Sequence, residues 1–122
     1  MVGRRTLEFA VGIVAAAVVS GGLSLYVAMP YALAVGLAAG TPSLIRTSTR
    51  LDRDAYDAAK SSTEQVVDGA LAAGATAAVG LGGGYAVLSA GITGPVASAV
   101  AAAVGVFAGQ ATFYARNREH LG

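Results

Sequence analysis

The sequence predicts an all-α, polytopic membrane protein with four transmembrane helices arranged as two hairpins. Three observations predict it. The 122-residue chain is 55% hydrophobic and only 12% charged, against roughly 25% charged residues in an average soluble domain. No Asp, Glu, Lys, Arg or His occurs in the 37 residues from Phe9 to Ile45, or in the 47 residues from Gly69 to Ala115. All eight basic residues lie outside these two stretches, at Arg4, Arg5, Arg46, Arg50, Arg53, Lys60, Arg116 and Arg118.

A helix rises about 1.5 Å per residue and a bilayer core is roughly 30 Å thick, so one crossing needs about 20 residues. Each uncharged stretch therefore holds two crossings. Proline marks the reversals at Met29-Pro30 and Gly94-Pro95, because a helix tolerates proline at its first position, where the missing N–H would have no partner. The expected helices run near Thr6–Met29, Pro30–Arg46, Asp68–Ala90 and Pro95–Arg116. They give a first hairpin over 6–46, a connector over 47–68 and a second hairpin over 68–116, in one membrane domain. The second helix is short, and Gly40-Thr41-Pro42 is expected to kink or loosen its last turn unless a neighbouring helix satisfies the freed carbonyl.

Both hairpin turns lack basic residues, so the positive-inside rule places the two termini and the connector in the cytoplasm. Aromatic placement agrees, with Tyr26 and Tyr31 near the outer boundary and Phe9, Phe113 and Tyr114 near the inner one. A soluble Ala-rich bundle would need a polar face along every helix, whereas Ala10–Val19 and Ala97–Ala108 are apolar all round. Arg4-Arg5 before an apolar run is also a feature of export signals, and Gly3–Phe9 resembles a twin-arginine signal. The run is long enough to span, so a retained first helix is expected. Abundant Ala, Gly and Val with a single Lys points to a high-GC prokaryote and hence to the plasma membrane.

The connector has its own pattern. Asp52 and Asp54 suit a helix start, Asp57 and Lys60 form an i, i+3 pair, and Leu51, Ala55, Ala58, Ala59, Ser62 and Val66 make a thin apolar stripe. It reads either as a helix docked on the membrane or a partner, or as a solvated segment that extends a neighbouring helix; the second is the expectation. The two hairpins are candidates for an internal duplication. A shift of 69 residues lays Ala34-Val35-Gly36 and Ala39-Gly40 over Ala103-Val104-Gly105 and Ala108-Gly109, and a shift of 68 lays Ala10–Ile13 over Ala78–Leu81. Copies of this kind would be related by an axis along the membrane normal.

Small residues four apart let helices approach closely in lipid, which makes Gly36 and Gly40, Gly80 and Gly84, and Gly105 and Gly109 the candidate packing residues. The run Gly80–Gly84 lacks the preceding strand and following acid of a dinucleotide site. Chemistry has little to work with. The chain has no Cys, and its one His, His120, reads as a solvated tail residue. The Ser and Thr residues of the apolar stretches have no base nearby, so bonds to backbone carbonyls are expected of them. Glu8, the acid nearest the bilayer, reads as paired with Arg4 and Arg5. Gln110 is the most polar side chain deep in the fourth helix, suited to an interhelical hydrogen bond or to lining a pore.

No catalytic, cofactor or metal site is therefore expected, and the near-balanced charge gives no reason to expect nucleic acid as a partner. The expected partners are the lipid bilayer and other membrane subunits or further copies. The functional expectation is a small non-enzymatic protein that acts by helix association, as an accessory or structural subunit or as a homo-oligomer. The alternative is a passive channel or small-solute permease formed by an oligomer.

Overall fold

The computed structural model describes residues 3–47 and 51–120. Five α-helices make up most of this: α1 (Arg4–Leu23), α2 (Met29–Arg46), α3 (Arg53–Ala59), α4 (Ser62–Ser89) and α5 (Pro95–Arg116), followed by a short 3-10 turn at Arg118–His120. Three of them, α1, α4 and α5, are long and apolar enough to cross a membrane, and α2 is a shorter apolar helix.

Two boundaries differ from expectation. Helix α1 stops at Leu23, six residues before Met29. It stops beside Gly21 and Gly22, which hold helix weakly, and the Ser24 hydroxyl donates to Gly21 O at 2.7 Å. Helix α4 begins at Ser62, six residues before Asp68, because Ser61 and Glu64 form a reciprocal capping box. The Ser61 hydroxyl accepts from the Glu64 N–H and the Glu64 carboxylate accepts from the Ser61 N–H, satisfying donors that a helix start leaves orphaned. At 28 residues, α4 is about 42 Å long and outruns a bilayer core by roughly two turns.

The turn into α5 is closed by Gly91 at φ +85°. Gly91 N–H donates to Leu88 O and Ile92 N–H to Val87 O, a Schellman cap that needs a left-handed residue where glycine carries no Cβ penalty. Gly94, at φ +73°, then caps α5 and Pro95 begins it.

The shortest of the four bundle helices is the central one. Helix α2 packs on α1, α4 and α5, while α1 packs mainly on α2 among the described residues. Only 6% of the apolar window of α1 is buried, against 28% for α5. Gly40-Thr41-Pro42, where a kink or a loosened last turn is expected, lies inside continuous helix, and α2 runs through Pro42 to Arg46. The Thr41 hydroxyl lies 2.6 Å from Leu37 O, and the Pro42 ring sits against Gly69 of α4, where an added Cβ would come within 3.1 Å of it. Neighbouring helix surface thus supports the proline turn.

Residues equated by the repeat do not meet equivalent partners. Gly12 approaches Gly40 across the α1–α2 contact, whereas Gly80 approaches Gly105 rather than Gly109 across the α4–α5 contact. The second hairpin is therefore set one helical turn away from the register that a simple copy would have.

Candidate functional site

Two kinds of contact hold the helices together, and they occupy different parts of the bundle. Through the middle, the contacts are made by residues with little or no side chain. Gly36 and Gly40 face α1: an added Cβ would lie 2.7 Å from Ala16 O at Gly36 and 2.5 Å from Gly12 O at Gly40. Gly80 faces both α2 and α5, where an added Cβ would lie 2.7 Å from Ala34 Cβ and 3.3 Å from Ala101 O, and one at Gly84 would meet Pro30 at 3.3 Å. On α5, a Cβ added at Gly105 would come 2.8 Å from Thr76 O and 3.2 Å from Gly80 Cα, and one added at Gly109 would meet Thr76 and Ala72. Backbone atoms form much of these surfaces, so an extra methyl could not be absorbed by a side-chain rotation.

The polar groups inside this region are hydroxyls. Thr41 and Thr76 lie with their oxygens 3.2 Å apart, and they also reach Leu37 O at 2.6 Å and Ala72 O at 3.0 Å. Two hydroxyl protons serve these three contacts, so one contact lacks a proton at any instant. Thr112 likewise donates to Ala108 O. Ser20 differs, for its buried Oγ is pressed against Gly36 and has no hydrogen-bond partner among the described residues. Gln110 lies on the exposed face of α5, and no hydrogen bond of its side chain occurs among the described residues.

At one end of the bundle, contact is made by charge and aromatic rings. Asp68 is fully buried. Its Oδ2 accepts from Tyr56 Oη at 2.9 Å and from Lys60 Nζ at 2.9 Å, and its Oδ1 accepts from Arg116 Nε at 2.9 Å. One carboxylate thereby joins the C-terminal end of α3, the start of α4 and the C-terminal end of α5. A buried carboxylate is tolerated when its lone pairs are occupied and opposite charge adjoins it. With three donors in place this group acts as a structural acceptor and is poorly placed to take up a proton as a base.

The Tyr56 ring, 1% exposed, packs 5.6 Å from Phe113 and 5.9 Å from the His120 ring in an edge-on arrangement. Ile45, Leu51 and Ala72 complete this small core. The chain after α5 closes over it, with Asp52 N–H donating to His120 O at 2.6 Å and Asn117 Nδ2 donating to Phe113 O at 2.9 Å.

A second ion pair clips α1 to α3. Arg53 gives both terminal nitrogens to Glu8, at 2.6 and 2.8 Å, the bidentate geometry that suits guanidinium and carboxylate. The hydrogen bond to Glu8, with Asp57 3.5 Å from Nε, raises the Arg53 pKa further above its ordinary value.

Several expectations are corrected here. The connector is not a plain solvated extension: residues 62–67 do lengthen α4, but Arg53–Ala59 forms its own helix folded onto the bundle end. The side chain that anchors it is Tyr56, outside the expected stripe, whereas Ala58, Ala59 and Val66 are exposed. Lys60 reaches Asp68 rather than Asp57, which pairs with Arg53 instead. His120 is 9% exposed and buried against Tyr56, not a solvated tail. Signals for these features were present in Ser61-x-x-Glu64, which marks the early start of α4, and in an aromatic residue amid the polar connector. A cleft of ≈ 770 Å³ opens between α2, α3 and α4, lined by Pro42, Tyr56, Asp57, Gln65 and Gly69 among others. Among the described residues no group of three or more His, Cys, Asp or Glu side chains could hold a metal ion.

Comparison with protein-family models, with curated proteins and with solved structures finds no match.

Proposed function

We infer that this chain is a four-span integral membrane protein that acts by helix association, as an accessory or structural subunit of a membrane complex or as a homo-oligomer, and not as an enzyme. One observation supports the reading: the distribution of side chains is inverted relative to a soluble protein. The largest fully buried side chains are Tyr56, Phe113, Asn117, Thr76 and Asp68, while Phe9, Val14, Val18, Val66, Val96 and Phe107 are exposed. Most bulky apolar groups outside, with an interior of small residues, polar groups and the Tyr56–Phe113 pair at one end, suit lipid as the solvent, where close backbone packing and hydrogen bonds supply the drive to associate.

In this reading α2, with 18 residues, spans as the central helix, packed between α1, α4 and α5. The basic bias orients both termini and α3 toward the cytoplasm, in the plasma membrane of a prokaryote. Native-detergent purification followed by mass measurement tests the association. A particle holding more than one chain, or a co-purifying membrane subunit, is the expected result. A strictly monomeric particle without a partner overturns it.

A further inference from the structure

We propose that the outer face of α5, centred on Gln110, is the contact through which a second copy of this chain docks. The proposal rests on the association reading above and names its partner.

On α5 the buried side is Ala97, Ala101, Gly105, Gly109 and Phe113. The opposite side carries Val96, Ala99, Ala103, Phe107 and Gln110, all exposed. At 100° per residue, Ala99, Ala103 and Gln110 fall on one seam of the helix, flanked by Phe107. Gln110 lies six residues before Arg116, about 9 Å along the axis from the charged end, so its amide faces the apolar layer. A primary amide brings two donors and an acceptor carbonyl, and leaving them unmade in hydrocarbon is costly. Among the described residues the Gln110 side chain has no hydrogen-bond partner, and it lies on the exposed face of α5.

The complement of an amide is another amide at the same depth. All eight basic residues bias every copy toward the same orientation, so a twofold axis along the membrane normal sets Gln110 of one copy opposite Gln110 of the next, each donating to the other. The contact is then isologous and closes as a dimer. Ala99 and Ala103 let the two helix backbones approach closely enough for that exchange.

The chain has no cysteine, so single-cysteine variants in native membranes test the face directly by oxidative cross-linking. Gln110→Cys and Ala103→Cys are expected to trap a disulfide-linked dimer. Val14→Cys, on the exposed face of α1, is expected not to. In detergent, Gln110→Leu is expected to weaken dimerisation about tenfold, in keeping with the measured range for polar contacts between membrane helices, and Gln110→Asn to retain most of it. A wild-type oligomer that survives Gln110→Leu unchanged and does not cross-link at 103 or 110 overturns this face while leaving association by another surface intact. A single chain bound to a different subunit overturns the dimer alone, and a bare monomer overturns both readings.

Discussion

The middle of the bundle and its charged end hold the same helices by opposite means. In the middle, Gly36, Gly40, Gly80, Gly105 and Gly109 remove side chains so that backbones touch. At the end, Asp68 of α4 gathers Tyr56 and Lys60 from α3 and its C-cap, and Arg116 from α5, onto one carboxylate. In the membrane reading proposed above, the difference follows from what each region can exchange with its solvent. Lipid gives no hydrophobic reward for burying another apolar side chain, so contact there depends on dispersion over closely fitted surfaces. Near water, ions can be assembled and their exposed members remain hydrated: Arg116 keeps 43% of its side-chain surface while Asp68 keeps none.

The comparison is broken most severely at Asp68. Asp68→Ala leaves Lys60 and Arg116 without their shared anion and Tyr56 without its acceptor, and is expected to destabilise the fold by about 3 kcal/mol, measured by denaturant titration in detergent. A smaller loss is expected in the middle. Gly105→Val forces a branched side chain against Thr76 O and Gly80 Cα, and overpacking of this kind costs about 2 kcal/mol, read as a lowered unfolding temperature with α5 displaced from α4.

The α1 clip is weaker again. Glu8→Gln removes the charge that Arg53 chelates, and about 1 kcal/mol is expected. The expected signature is local, with increased hydrogen exchange in α1 while α4 and α5 stay protected. Gly74 sharpens the comparison from the other side. An added Cβ there meets nothing within 4 Å, so Gly74→Ala is expected to raise stability by about 0.5 to 1 kcal/mol through helix propensity alone. If Gly74→Ala and Gly105→Ala behaved alike, the glycines of the middle would not be packing residues.

The middle was the more legible region in the sequence. Uncharged runs, prolines at Met29-Pro30 and Gly94-Pro95 and glycines spaced by four are local patterns, and helices are local structures. The charged end was nearly illegible, because its contacts join distant residues: Asp68 meets Arg116 across 48 positions and Glu8 meets Arg53 across 45. Nothing in the spacing of Asp57 and Lys60 tells which anion Lys60 will choose; that is decided by the break at Lys60-Ser61 that turns α3 back over the bundle end. The end of α1 lay between these cases, since Gly21-Gly22 weakens the helix locally but a run of apolar residues continues past it.

Side-specific labelling of single-cysteine variants in intact cells, with a reagent that cannot cross the membrane, tests the membrane threading on which the account depends. Leu25→Cys, between α1 and α2, and Thr93→Cys, between α4 and α5, are expected to react from outside, while Asp54→Cys and Glu119→Cys react only after permeabilisation. Reaction of Asp54→Cys from outside together with Leu25→Cys, or labelling of Leu25→Cys and Thr93→Cys on opposite faces, would contradict it.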